Sequence, residues 1–95
     1  MKKILLAVAF CLFLKDVFAQ DIILKGKVES NGIAVPKANL RLIELQRSTQ
    51  TNIDGEFGFA ALKAGNYQIR ITALGYQTQV NKIDISSDTI LNFNL

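Results

Sequence analysis

The chain has 95 residues, of which 11 are basic and 8 are acidic, with one cysteine and no histidine. A chain of this length forms at most one small domain, and without histidine it has neither the ligands of a zinc peptidase nor the base of a Ser-His-Asp or Cys-His nucleophile. Beyond residue 19 the basic residues are spread singly along the chain, so no nucleic-acid surface is predicted.

The first predicted element is a secretory signal peptide, residues 1–19. Lys2 and Lys3 form a basic start, residues 4–14 form an unbroken apolar run, and residues 17–19 have the small-residue pattern of a cleavage site. The run has eleven residues, whereas a helix that spans a membrane needs about 20. A cleaved signal is therefore expected rather than a membrane anchor.

Cys11 lies inside the apolar run and follows the bulky Phe10, where a bacterial lipoprotein site has a small residue. Removal of residues 1–19 leaves eight basic and seven acidic residues, a net charge of +1, and no thiol. Residues 20–95 are thus predicted to form one domain that no disulfide braces.

Turn signals recur along residues 20–95, and apolar residues between them alternate with polar ones, which predicts short antiparallel strands with one buried face. The first strand is residues 22–29. Asn31-Gly32 follows it, and this pair accepts the positive φ of a tight hairpin turn. Pro36 fits the next loop, where its missing N–H has no cost.

Residues 38–45 are predicted to form the second strand, with Leu40 and Leu42 on the same face as Ala38. Ile43 and Leu45 break this alternation. Either a neighbouring domain or partner covers them in part, or they are ordinary exposed apolar residues.

Residues 46–51 predict a turn and a short strand. Asp54-Gly55 is a second hairpin signal, and it precedes a strand at residues 56–60 in which Phe57 and Phe59 share one face.

Residues 64–66 turn the chain into the clearest alternation, residues 67–73, which we expect to be a central strand. Its inward residues are Tyr67, Ile69, Ile71 and Ala73.

Gly75-Tyr76 bends the chain before the last two strands, residues 77–85 and 89–95. The sequence thus predicts an all-β domain of seven antiparallel strands in two packed sheets. Phe57, Phe59, Tyr67 and Phe93 are assigned to its core.

An ordered series of short motifs in this chain resembles the carboxypeptidase-regulatory-like domain. The motifs are Gly26-Lys-Val, Asn31-Gly, residues 33–36, residues 38–42, residues 51–59, residues 62–69 and Gly75-Tyr76. The resemblance covers about residues 24–95 and implies a seven-stranded sandwich of transthyretin-like or carbohydrate-binding-like fold. Such domains often follow a signal peptide at the N-terminus of TonB-dependent outer-membrane receptors, which implies a periplasmic or outer-membrane location and a protein partner there.

This chain departs from the receptor pattern because it stops at Leu95, before a TonB-contacting segment, a plug and a barrel. No transport activity is therefore carried over. A receptor fragment, a truncated gene product and a free-standing periplasmic domain all stay open.

No catalytic, cofactor or metal site is predicted. Asp54-Gly55-Glu56 lacks the dense oxygen ligands of a calcium loop, and Tyr76 either packs over a sheet edge or stacks on a ligand. The candidate contacts to a ligand or partner are Tyr76, Asn31, Asp54, Glu56 and Asn66, and the structural turn residues are Gly32, Gly55, Gly65 and Gly75.

Two functions remain. One is a non-enzymatic interaction or scaffold module that docks a partner at an exposed edge such as residues 89–95. The other is a small carbohydrate-binding domain that uses Tyr76 as a platform.

Overall fold

The computed structural model describes residues 21–95, so the predicted signal peptide and Cys11 lie outside the described residues. Residues 21–95 form eight β-strands and contain no helix that could cross a membrane. The strands are β1 (Ile22–Ser30), β2 (Ile33–Ala34), β3 (Asn39–Leu42), β4 (Arg47–Gln50), β5 (Glu56–Leu62), β6 (Gly65–Thr72), β7 (Gln79–Ile85) and β8 (Thr89–Asn94).

The strands form two sheets, as the alternation of the sequence predicts. In sheet A, β1 pairs with β5 and with the short β2 in antiparallel fashion, and with β8 in parallel. Sheet B has the order β4-β3-β6-β7, and all of its pairs are antiparallel. The all-β sandwich is therefore confirmed, and β6 is a central strand as expected.

The prediction of seven antiparallel strands is wrong in two details. An eighth strand, β2, is the short return arm of the hairpin at Asn31 and Gly32, whose φ angles of 52° and 79° fit a type I′ turn as predicted. In addition, β8 runs parallel to β1, with Leu24 opposite Thr89 and Glu29 opposite Asn94. The chain reaches β8 from β7 in the other sheet, so no hairpin forces an antiparallel pairing.

The second predicted strand ends earlier than expected, at Leu42. Ile43 to Gln46 form a turn that the Gln46 N–H closes by donating to the Ile43 carbonyl, 3.3 Å away. Ile43 and Leu45 are 36% and 40% exposed. Their break in the alternation marks the end of the strand.

The turn at Asp54 and Gly55 is not a hairpin. It carries the chain from β4 in sheet B to β5 in sheet A, and the Gly55 N–H donates to the Asn52 carbonyl at 2.9 Å. Gly55 has a φ of 75°, and a Cβ built there would lie 2.6 Å from the Val28 carbonyl oxygen. Glycine is required here because the turn closes against β1.

The core lies between the sheets and follows the period-two pattern of each strand. Phe57 and Phe59 are buried on one face of β5, and Phe93 of β8 is partly buried with its ring 5.9 Å from that of Phe57. The predicted inward residues of β6 are buried up to Ile71, and Ala73 is partly buried beyond the end of the strand.

Tyr67 anchors the turn that precedes β6. Its ring is buried, and its hydroxyl donates to the Lys63 carbonyl oxygen at 2.5 Å. We expect Tyr67→Phe to lower the free energy of unfolding by about 1 kcal/mol, because the carbonyl loses a partly buried donor. Urea denaturation measures this effect, and Tyr76→Phe, at a ring that is 43% exposed, is the control with no expected change. Equal effects of the two substitutions would contradict the prediction.

Candidate functional site

Three turns meet at one end of the sandwich, which we call the Tyr76 end: residues 31–32, 52–55 and 73–76. The Val28 N–H donates to the Gly55 carbonyl at 2.8 Å, which joins the second turn to the strand that carries the first. Asn39 lies opposite Gln50 on one side and Thr72 on the other, so the third turn leaves sheet B at the same end. The turns before β4, β6 and β8 lie at the opposite end.

The predicted contact residues do not form one site. Asn31, Asp54 and Tyr76 lie on the three turns of the Tyr76 end, and Glu56 begins the strand that follows one of them. Asn66 lies at the opposite end, where it pairs with Asp84. Successive turns of a sandwich alternate between its two ends, which separates Asn66 from the others.

The carboxylates at the Tyr76 end are organised by Asn52, which the sequence analysis did not single out. Its Oδ1 accepts from the Asp54 N–H at 3.0 Å and the Glu56 N–H at 2.9 Å, and its Nδ2 donates to Glu56 Oε1 at 3.2 Å. Asparagine at the start of an Asx turn is the signal that could have found it. Glu56 thus stabilises the turn at residues 52–55 through its hydrogen bonds with Asn52.

Within residues 21–95 no group of three histidine, cysteine, aspartate or glutamate side chains is placed to hold a metal ion. A shallow cleft of about 410 Å³ includes Asn66, Glu44 and Lys82 in its lining, and another of about 500 Å³ on the outer face of sheet A includes Glu56. Neither is lined by Tyr76. These clefts therefore do not bring the exposed ring together with the candidate polar side chains.

The Tyr76 end carries exposed apolar side chains that sequence reasoning missed. Ile33 is 72% exposed, Ile53 is 84% exposed and Leu74 is fully exposed. The sequence contains a sign of this exposure, because aliphatic residues lie inside segments that glycine and asparagine mark as turns. Tyr76 is 43% exposed, so it is partly covered and partly open to solvent.

The edge strand β8 is the second notable surface. Among the described residues it pairs only with β1, and Ile90 on its outer face is 75% exposed. Two side chains here reach across to β1: Asn92 Oδ1 of β8 accepts from the Lys27 N–H at 3.1 Å, and Asp88 Oδ1, directly before β8, accepts from the Ile23 N–H at 3.0 Å. The predicted terminal strand is therefore an edge.

Charge distinguishes β8 from the other edges. In residues 21–95 four edge strands are longer than two residues, and three of them carry charged side chains: Arg47 on β4, Glu56 on β5, and Lys82 with Asp84 on β7. The sequence of β8, Thr-Ile-Leu-Asn-Phe-Asn, has no charge, proline or glycine. Charged residues commonly protect edges against pairing with other chains, and β8 lacks this protection.

Solved structures of similar fold support this architecture. One chain of a mutant type II Cohesin-X-Dockerin complex from Acetivibrio cellulolyticus matches with a TM-score of 0.68 at 18% identity, over 76% of this chain and 52% of that one. A DUF3823 family protein from Bacteroides ovatus matches with a TM-score of 0.63 at 16% identity, over 79% and 44% of the two chains. Another, from Parabacteroides merdae, gives 0.60 at 18% identity, over 80% and 46%. This chain thus spans about half the length of these structures, and the likeness shows the fold.

No curated protein matches this sequence. A sequence model of the CarboxypepD_reg-like domain matches residues 24–95, which include β1 from its third residue and all of β2 to β8. The match agrees with the resemblance drawn from the turn motifs and with the sandwich fold. The chain belongs to the CarboxypepD_reg-like domain family.

Proposed function

We propose that this domain is an exported, non-enzymatic interaction module that binds a protein partner by adding a strand of that partner to the free edge of β8. The observation that carries the proposal is the uncharged edge of Thr89–Asn94. An unpaired edge presents backbone donors and acceptors, and a partner strand satisfies them without a dedicated pocket.

The pairing of β8 with β1 defines which groups are free. The Leu95 N–H donates to the Glu29 carbonyl at 2.8 Å, so the odd-numbered residues of β8 turn their backbone groups toward β1. Ile90 and Asn92 therefore turn theirs outward. The Asn94 carbonyl is already used, because Gln79 Nε2 donates to it at 2.9 Å. The partner strand is expected to pair with Ile90 and Asn92.

Location is part of the same proposal. The basic and apolar start of the chain favours export, and the family resemblance favours a place beside TonB-dependent receptors at the outer membrane. The structural neighbour from a Cohesin-X-Dockerin complex is consistent with use of this fold inside protein assemblies. A carbohydrate-binding role has less support, since Asn66 and Tyr76 lie at opposite ends.

The test uses photo-crosslinking in the envelope fraction of the source organism. A photoreactive amino acid replaces Asn94 on β8 or, as the matched control, Gln68 on the outer face of sheet B; both residues are exposed. We expect one crosslinked protein from position 94 and none from position 68. Ile90→Pro removes an outward N–H while leaving the β1 side of the strand intact, and it should abolish that crosslink.

Val80→Pro on edge strand β7 is the matched control for the proline substitution, and it should leave the crosslink unchanged. Circular dichroism of both variants checks that they fold. A crosslink that survives Ile90→Pro in a folded domain, or that forms equally from both positions, would overturn strand addition at β8.

A further inference from the structure

We propose that the Tyr76 end of the sandwich binds the surface of a lipid bilayer by inserting the side chains of Ile33, Ile53 and Leu74 among the lipids. The proposal concerns a different surface from β8 and stands independently of the proposed function. It rests on where these side chains lie and on what they do not contact.

Two of the three side chains occupy the same unusual position in a turn. The Gly55 N–H donates to the Asn52 carbonyl at 2.9 Å, which makes Ile53 the second residue of a four-residue turn. The Tyr76 N–H donates to the Ala73 carbonyl at 3.1 Å, which gives Leu74 the same place. Corner positions favour proline or small polar residues, and an aliphatic residue gains no packing there. Neither turn requires these side chains.

Ile33 adds a third apolar side chain directly after the Asn31-Gly32 turn. A Cβ built at Gly55 would lie 3.2 Å from the Ala34 Cβ, so the turn that carries Ile53 is in contact with β2. Tyr76 lies two residues after Leu74 and is 43% exposed. An amphipathic ring next to aliphatic side chains suits the boundary between lipid chains and headgroups.

The exposures favour a bilayer over a protein surface. Ile33 is 72% exposed, Ile53 is 84% exposed and Leu74 is fully exposed, so these side chains do not pack on one another. They form separate projections rather than a continuous patch. A protein partner would need a matching pocket for each projection, since protein interfaces concentrate their binding energy in a packed, water-free centre. A bilayer accepts each side chain independently.

The charges at this end predict how the binding should depend on lipid. Lys37, Asp54 and Glu56 are all exposed there, so this end does not carry an excess of positive charge. Attraction to anionic headgroups therefore contributes little, and the apolar side chains carry the affinity. Binding should be nearly the same for neutral and anionic lipid, and insensitive to salt.

The test is cosedimentation of the purified protein with two kinds of vesicle, one of phosphatidylcholine alone and one of equal parts phosphatidylcholine and phosphatidylglycerol. We expect binding to both. Ile53→Ser and Leu74→Ser should each weaken it about tenfold, and the double variant about a hundredfold. Ile90→Ser is the matched control, because it removes an aliphatic side chain of similar exposure, 75%, from a sheet face.

A Tyr76→Trp variant adds a readout that reports position, since the chain has no tryptophan of its own. Its emission should shift to shorter wavelength when vesicles are added. Four outcomes would overturn the proposal: no binding to either vesicle, binding to anionic vesicles alone that salt abolishes, an equal loss with Ile90→Ser, or turn variants that change only self-association in gel filtration. The last outcome would mark this end as an interface between copies.

Discussion

Gly26→Ala should detach β8 from β1 and remove a large part of the stability of the domain. Gly26 lies in β1, and a Cβ built there would lie 1.6 Å from the Leu91 carbonyl oxygen and 2.7 Å from its carbonyl carbon. Both atoms belong to the backbone of β8, so no side-chain rotation relieves the overlap. The strand has to move as a whole.

The cost of that movement is large for a domain of this size. A displaced β8 uncovers Leu91 and Phe93, which pack against the core, and it breaks the bonds that Asp88 and Asn92 make with β1. We expect a loss of about 3 kcal/mol or more, against a total stability of about 4 to 11 kcal/mol for the 75 residues 21–95. Circular dichroism with urea denaturation measures the loss directly.

Gly58→Ala is the matched control, because Gly58 also lies inside a strand of sheet A. The nearest atoms to a Cβ built there are 3.8 and 3.9 Å away, which is ordinary contact. This variant should be as stable as the unchanged protein or slightly more so, since alanine restricts the unfolded chain. If Gly26→Ala unfolded at the same urea concentration as Gly58→Ala, the close approach of β8 to β1 would be wrong.

The alternation of apolar residues predicts the strand content and most of the core because it is local. Tyr67, Ile69 and Ile71 are inward by spacing alone, and all three are buried. The choice of partner strand is not local. Nothing in residues 89–95 specifies that β8 lies parallel to β1. Glycine is required at position 26 because of that pairing, but the residues around Gly26 do not indicate the requirement.

The candidate site was harder to predict for a related reason. Turn signals identify where the chain reverses but do not say at which end of the sandwich, so they do not separate Asn66 from the residues of the opposite end. The same signals drew attention to asparagine, aspartate and glycine. The turns expose the aliphatic residues Ile53 and Leu74, and the sequence does not predict this because an apolar residue suggests a core.

Thr51→Val should cost more stability than Thr51→Ser, although valine is the closer match in shape and is more apolar. Thr51 is the one buried polar residue among residues 21–95, at 5% exposure. Its Oγ1 accepts from the Ala38 N–H at 2.8 Å and donates to the Val35 carbonyl at 2.6 Å. One hydroxyl therefore satisfies two backbone groups of the loop between β2 and β3.

Valine leaves both backbone groups without a partner in a buried place, and a buried polar group without a hydrogen bond costs about 1 to 3 kcal/mol. We expect a total loss of about 2 to 4 kcal/mol for Thr51→Val. Serine keeps the hydroxyl and loses one methyl group, which is worth about 0.8 kcal/mol. Urea denaturation of the two variants gives the order.

The order of these two variants separates two explanations of why a polar residue lies in this core. If Thr51 mattered only for filling space, valine would be neutral and serine would be the more harmful change. If its hydroxyl holds the loop, as the two bonds indicate, valine is the more harmful change. The amide of Ala38 should then also exchange with solvent faster in the valine variant, because that N–H has lost its acceptor.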